Sequence, residues 1–472
     1  MIDAVVIGAG PNGLSAAIVL AQAGLKVVVF ESNRTAGGGV RSAELTLPGF
    51  THDVCSAVHP FGIASPFWQT LPLSAHGLEW IQPDVMIAHP LEGGRAASAE
   101  RSLDTTAAAL GRDGEAYKRL VGGLVRDWPR VSRAVLGPLT IPRHPISLAK
   151  FGLHALRSIQ GLSTSAFRDE PARALLAGSA AHGMLPLDRA LTAGVGLTMT
   201  ALSHIAGWPI PRGGAQSITT ALVKHLATLG GEVFTNSPVN DVDKLPPAKI
   251  VLCDLSPRPL LRIAGHKFPR GYRKKLERYR YGMGVFKVDW ALDAPIPWTS
   301  EACRRAGTIH VGGTLAEIAA SERDAWSGRI SDRPFVLMSQ PTVFDPTRAP
   351  AGKHVAWGYC HVPTGSTTSM LDRIEQQIER FAPGFRDRVL ARSVMTPRDL
   401  ELNNANYVGG DIAAGVVDLR QFFFRPTWRN YATPVKGLYI CSASTPPGVG
   451  VHGMCGYYAA KLALSGLGLS RS

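Results

Sequence analysis

The stretch DAVVIGAGPNGLSAAIVLAQAGLKVVVFE, running from Asp3 to Glu31, decides the fold. Asp3 to Ile7 reads as a short apolar strand. GAGPNG then places glycine at Gly8, Gly10 and Gly13, Leu14 to Ala23 has a helical pattern closed by Gly24, and Lys26 to Phe30 forms a second strand ending on Glu31. This strand–turn–helix–strand order is the context a dinucleotide fingerprint requires. Gly8 permits the tight turn, Gly10 lets the backbone approach a pyrophosphate, and Gly13 lets helix and strand pack closely. The helix N-terminus offers N–H donors and a positive dipole end to phosphates. Glu31 is placed to accept hydrogen bonds from a ribose diol.

The 472 residues suffice for a large core and more than one domain. A hydrophobic content of 45% and a charged content of 18% suit an ordinary globular enzyme. The net charge of +14 comes mainly from scattered arginines. No basic run forms a nucleic-acid arm, so no nucleic-acid partner is expected. Six cysteines without a CxxC pair or metal-ligand spacing imply buried thiols, no metal and a reducing, cytoplasmic setting. No leader pattern precedes the first strand, and no uncharged apolar run reaches membrane-spanning length.

Further along, Gly37, Gly38 and Gly39 form a second glycine cluster, and Pro48–Gly49–Phe50 reads as a turn between short strands. Cys55 to Leu73 reads as a loop lining something. Helical patterns dominate from Ser102 to about Thr200. Within them Pro142 to Leu162 is basic and amphipathic, which fits either peripheral contact with a membrane surface or, the favoured reading, a core-facing helix. The α/β pattern returns with a helix near Ala215 to Leu229 and strands at Glu232 to Thr235 and Lys249 to Cys253. MGVFKVDWAL, PFVLMSQP and HVAWGYCHV suggest an antiparallel sheet, with a helix near Ser369 to Phe381. The fold class is therefore α/β: a discontinuous Rossmann-like domain with a parallel sheet, over residues 1–65, 200–262 and 404–472. An inserted α+β substrate domain, over 66–199 and 263–403, carries an antiparallel sheet and a helical subregion.

The last distinctive stretch is GLYICSASTPPGVGVHGMCGYYAAKLAL. Leu438 to Cys441 reads as a strand, and Gly448, Gly450 and Gly453 repeat the GxGxxG spacing before a helix. No strand ending in an acid follows, so this is not a second fingerprint and no stable NAD(P) site is expected. A helix start behind a glycine turn suits an anionic centre such as the N1–C2 edge of a reduced flavin.

GAGPNG with Glu31, the GGGVRS…PGF block, RGGAQSITTALVKHL and YATPVKGLYICSASTPPGVGVHGMCGYYAA together resemble the phytoene desaturase-type FAD-dependent oxidoreductases. Within them the resemblance is to the branch of pyridine nucleotide-disulfide oxidoreductase domain-containing protein 2. It implies non-covalent FAD, with its ADP half over Gly8, Gly10, Gly13 and Glu31, its pyrophosphate near Gly37 and Gly38, and its flavin ring around Gly448 to Val451. The expected cofactor lining is completed by Pro11, Asn12, Ser32, Arg34, Gly39, Arg41, Val239, Ser442, Gly450, Val451 and His452. Many relatives carry Arg after the glycine pair, where this chain has Gly39, with Arg41 two residues on. GGDIAAG, Gly409 to Gly415, stands where relatives carry GGNIFHG, so Ala413 and Ala414 replace Phe and His. In DLRQFFFRP, Arg420, Arg425 and the three phenylalanines are either pocket walls or packing.

The chemistry expected is hydride transfer from a C–H bond of an apolar or amphipathic small molecule to flavin N5. The alternatives are amine-oxidase-like C–N oxidation and a flavin-containing regulatory protein with little turnover. The candidate bases are His59, in AVHPFG, and His452, in the C-terminal turn. Cys441 and Cys455, beside the expected flavin edge, read as inert thiols.

Overall fold

A computed structural model of the chain describes residues 1–469. Its first sheet has five strands, all parallel. In order across the sheet they are Leu438–Ile440, Ile250–Cys253, β1 (Ala4–Ile7), β2 (Val27–Phe30) and Glu232–Phe234. β1 is central and buried on both faces, which is why AVVI runs apolar instead of alternating. Helix α1 (Pro11–Gln22) follows, with every residue from Asn12 to Ala21 buried. A Cβ on Gly13 would lie 2.0 Å from the Gly8 carbonyl oxygen, so only glycine lets α1 start so close to β1. The helix Met454–Gly466 packs on α1 as closely: a Cβ on Gly456 would lie 1.8 Å from the Asn12 carbonyl oxygen. The two ends of the chain thus share one core.

The second sheet has seven strands, ordered Val389–Met395, Gly284–Leu292, His354–Val362, Val336–Ser339, Ala306–Val311, Val85–Pro90 and Ala96–Glu100. The three strand-like segments read from the sequence form its middle. The sheet is not purely antiparallel, because Ala306–Val311 and Val85–Pro90 pair in parallel. Side chains alternate between its faces. Phe286, Val288, Trp290 and Leu292 pack with Ile374 and Ile378 of the helix Leu371–Glu379. Val285, Trp357, Tyr359 and Leu337, on the other face, join the core that holds α1.

Six helices fill Leu103 to Ile205. Here the core-facing reading of Pro142 to Leu162 needs correction. Ala155, Ile159 and Leu162 are buried, but Ile146 is 72% exposed, Leu153 74% and Leu156 53%, beside Ile141 at 93%. Only the second half of the stretch turns inward. Among the described residues no helix is long and apolar enough to cross a membrane.

Candidate functional site

Helix α1 starts on Gly10, with Pro11 in its first turn and no acidic residue there. Its turn is a cradle without side chains. Gly8 has φ +97°, and a Cβ on Gly10 would meet the Asp254 carboxylate at 2.8 Å. The second glycine cluster closes over it: the Gly37 N–H donates to the Ala9 carbonyl at 2.9 Å, and a Cβ on Gly38 would lie 3.2 Å from the Gly10 Cα. Glu31 is buried at the end of β2. Its carboxylate accepts from the Ala9 N–H at 2.9 Å, the Asn33 N–H at 2.8 Å and the Ser32 hydroxyl at 3.3 Å. Asn12 Oδ1 is buried without a hydrogen-bond partner among the described residues. This lining fits a dinucleotide: glycine backbone without side chains at a helix start for the phosphates, a carboxylate acceptor at the strand end for the ribose, and the Asn12 amide oxygen as a further buried acceptor.

Asp254 was not singled out by the sequence reading. It follows the strand Ile250–Cys253 directly and accepts from the Gly13 N–H at 3.0 Å, within the cradle. Burial pushes its carboxyl up to about 7, Glu31 nearby adds to the shift, and the Gly13 N–H opposes it. A carboxyl that holds its proton there does not repel a phosphate. The signal that could have found it is an acid between a short apolar strand and the helix Pro257–Ala264, in LCDLSP.

The other expected cofactor residues divide. Arg41 is buried, but its Nε donates to the Gly38 carbonyl at 2.9 Å and its Nη2 to the Asn403 carbonyl at 3.1 Å. It therefore braces the glycine loop. The place beside Gly39 is taken by the Tyr407 hydroxyl, which a Cβ at Gly39 would meet at 2.1 Å. Ser32 and Arg34 are exposed. Val239 packs in the cluster that includes Phe30, on the flank of the first sheet. Ser442 is buried and donates to the Leu255 carbonyl at 2.9 Å, beside Asp254.

Gly448 and Gly450 adopt φ of +109° and +138°, which suits glycine alone. A Cβ on Gly450 would strike the His452 ring at 2.8 Å, and Val451 is half-buried. The turn docks on residues 59–68 through the Ser65 hydroxyl, which donates to the His452 carbonyl at 2.7 Å, and through the Phe61 ring against His452. Trp68 Nε1 donates to the Ser15 hydroxyl on α1 at 2.9 Å. The segment read as a lining loop is thus a clamp, mostly buried and partly helical at Pro60–Ile63.

His59 and His452 are both buried, and burial pulls each down to about 4. His452 Nδ1 accepts from the Met454 N–H at 3.0 Å, which commits it to the helix start. His59 Nδ1 lies 3.4 Å from the Ser56 hydroxyl, and its Nε2 has no partner among the described residues. Cys455 is buried, with its thiol pushed up to about 12 by burial, in keeping with an inert thiol. Arg425 is buried and donates to the carbonyls of Ala413, Val416 and Ala443 at 3.1 Å each, so it stitches GGDIAAG to the C-terminal strand. Phe422, Phe423 and Phe424 do not pack in the core: all three are exposed, as is Arg420.

The second sheet supplies groups that the sequence reading missed. Lys287 and Asp289 are an ion pair within an apolar strand, at 1% and 0% exposure. Their spacing of two, in FKVDW, was the legible sign that both face one side of the sheet. Burial pushes the Asp289 carboxyl up to about 6 despite Lys287. Arg348, equally buried, bridges Asp53 and Asp345 and ties the Ser42–Asp53 hairpin to the turn Pro346–Arg348 between two strands of this sheet. Two surface hollows, of about 550 Å³ beside Ser158 and Arg323 and about 350 Å³ between Tyr281 and Thr364, contain none of these residues. The chemistry of the lining marks the site, not the shape of an open cleft.

Fold and site together define a dinucleotide-binding unit carrying a second domain, and the sequence relatives support an oxidoreductase. The family of NAD(P)-binding Rossmann-like domains matches residues 6–71. The chain is 28% identical, over 98% of its length and 93% of the relative's, to pyridine nucleotide-disulfide oxidoreductase domain-containing protein 2 of Mus musculus. It is 25% identical, over 96% of its length and 92% of the relative's, to the neurosporene-forming phytoene desaturase of Rhodobacter capsulatus. A solved oxidoreductase from Methanosarcina mazei shares the fold, with TM-score 0.66 at 18% identity, over 96% of this chain and 98% of that one. The resemblance to phytoene desaturase-type FAD-dependent oxidoreductases read from the motifs is borne out by the sequence matches.

Proposed function

We propose that the chain binds FAD non-covalently and oxidises a C–H bond of an apolar or amphipathic small molecule, as a dehydrogenase or desaturase. One observation carries the reading: the C-terminal glycine turn and the N-terminal fingerprint meet, since a Cβ on Gly453 would lie 2.1 Å from the Ser15 hydroxyl of α1. FAD, when bound, supplies the hydride acceptor. Residues 1–65, 200–262 and 404–472 would form its domain and 66–199 with 263–403 the substrate domain; of these, residues 470–472 lie outside the described part. Gly8, Gly10, Gly13, Gly37 and Gly38 would take the pyrophosphate, Glu31 the ribose, and Gly448 to Val451 the flavin ring. His59, neutral and with Nε2 uncommitted, is the better placed proton acceptor. The test is the visible spectrum of the purified protein, followed by anaerobic titration with candidate substrates. Bleaching of a bound flavin supports the reading. Protein that stays colourless in excess FAD overturns it, and a bound flavin that no substrate reduces favours a regulatory role.

Oxidation of a C–N bond is a second reading. It is favoured by Asp289 Oδ1, an acceptor without a hydrogen-bond partner opposite Trp357, which could hold an ammonium group. We also infer peripheral membrane contact through Ile141, Ile146, Leu153 and Leu156, exposed among Arg143, Lys150 and Arg157. Co-sedimentation with anionic but not neutral vesicles checks it.

A further inference from the structure

The face of the second sheet that joins the α1 core carries a row of polar side chains in cross-strand register. Asp289 lies opposite Trp357, Trp357 opposite Ser339, and Ser339 opposite Thr308. The row crosses four strands, about 14 Å at the usual strand spacing. Every member is at most 5% exposed. Asp289 Oδ1, Trp357 Nε1, Ser339 Oγ and Thr308 Oγ1 all lack hydrogen-bond partners among the described residues. Asp289 Oδ1 comes no closer than 3.7 Å to His52 Nδ1, itself unpaired. One register step away lie His310 and His89, whose Nδ1 atoms are also unpaired, and His310 Nε2 meets His182 Nε2 at 3.0 Å. An unpaired buried polar group is costly, and cores rarely tolerate several together. So many in register on one face mark a wall built to be satisfied by something lying across the strands.

The wall's charge narrows what that is. Burial keeps His89, His182 and His310 uncharged, at about 4, about 3 and well below the usual imidazole range. Lys287 is already paired with Asp289. The row therefore offers donors and acceptors but no uncompensated positive charge. An unsubstituted hydrocarbon would leave every one of these groups unpaired, and a carboxylate would find no cation.

We propose that this face recognises the substrate through uncharged oxygen-bearing groups, and that the molecule oxidised is an elongated hydroxylated or carbonyl-bearing compound, not a bare hydrocarbon or a fatty acid. The proposal rests on the reading of the chain as an oxidoreductase whose substrate lies against this face. Its test is titration of the purified protein with decane, 1-decanol and decanoate, read by quenching of tryptophan fluorescence. Flavin content is measured by visible absorbance in the same samples. 1-Decanol is expected to bind about tenfold tighter than decane or decanoate. Thr308→Val combined with Ser339→Ala should abolish that preference while leaving the melting temperature equal or higher, because both hydroxyls are unpaired in the fold. The proposal is overturned by equal affinities in the wild type, by saturation with none of the probes, or by a preference that survives the double substitution. A preference for 1-decanol in protein that takes up no flavin sinks the oxidoreductase reading and leaves standing only the recognition of oxygen-bearing groups by this face.

Discussion

The substitution Asp254→Asn tests the energetics of the glycine cradle directly. The wild-type carboxyl moves from an ordinary 3.8 to about 7 on folding, mainly through burial. The folded state therefore holds a proton that the unfolded state releases between those two values. Stability falls as pH rises through that window, and the full penalty is present above about 7. Three units correspond to roughly 4 kcal/mol, an upper bound because the cradle relaxes around a charged carboxylate. An asparagine side chain there cannot ionise, and its carbonyl can still accept from the Gly13 N–H. Urea unfolding of both proteins at pH 4, 5.5, 7 and 8.5 measures the difference. The variant should match the wild type near pH 4 and exceed it by about 2–4 kcal/mol at pH 8.5. Its affinity for FAD should vary less with pH, since no carboxylate forms beside the phosphates. Parallel stability–pH curves for the two proteins would refute the assignment.

Arg348→Met should cost about 3–5 kcal/mol in urea unfolding, because it strands Asp53 and Asp345 as buried charges; a loss below about 1 kcal/mol shows that the network is not integral. Glu31→Arg should give nearly colourless protein, as a cation replaces the acceptor and severs its bond from Ala9; full flavin occupancy counts against the ribose role. His59→Ala should slow flavin reduction roughly a hundredfold at neutral pH. The wild-type rate should be flat at neutral pH and fall as His59 protonates near pH 4. A variant rate equal to the wild type's at every pH removes His59 from the chemistry.

The nucleotide unit was legible because each of its residues has a local reason. AVVI is a buried parallel strand, Gly13 is forced by the Gly8 carbonyl, and Glu31 ends the second strand. The middle of the second sheet was legible as strand-like apolar and aromatic runs, in Gly284–Leu292 and His354–Val362, which are buried on both faces. Its far side was not. Val85–Pro90 carries MIAHP, with a histidine and a proline, and although it pairs with nearby Ala96–Glu100, its inner partner, Ala306–Val311, comes more than two hundred residues later. Long-range pairing leaves no local mark. Asp254 and the Asp289–Thr308 row were hidden for the same reason, since each gains meaning only from side chains on other strands. The exposure of Ile146 and Leu153 was ambiguous in the sequence, because a stripe facing lipid and a stripe facing core share one periodicity.

The position of β1 has a consequence for biosynthesis. β1 leaves the ribosome before the other strands of its sheet and lies in their middle, yet its neighbour on one side begins at Ile250, paired with Ala4. At roughly 5–20 residues per second, that edge stays open for about 10 to 50 s. Throughout that interval AVVI presents bare amide and carbonyl groups, and α1 lacks the helix that will cover it. Codon changes that slow translation between residues 31 and 250 should therefore lower the yield of folded protein without altering a single amino acid.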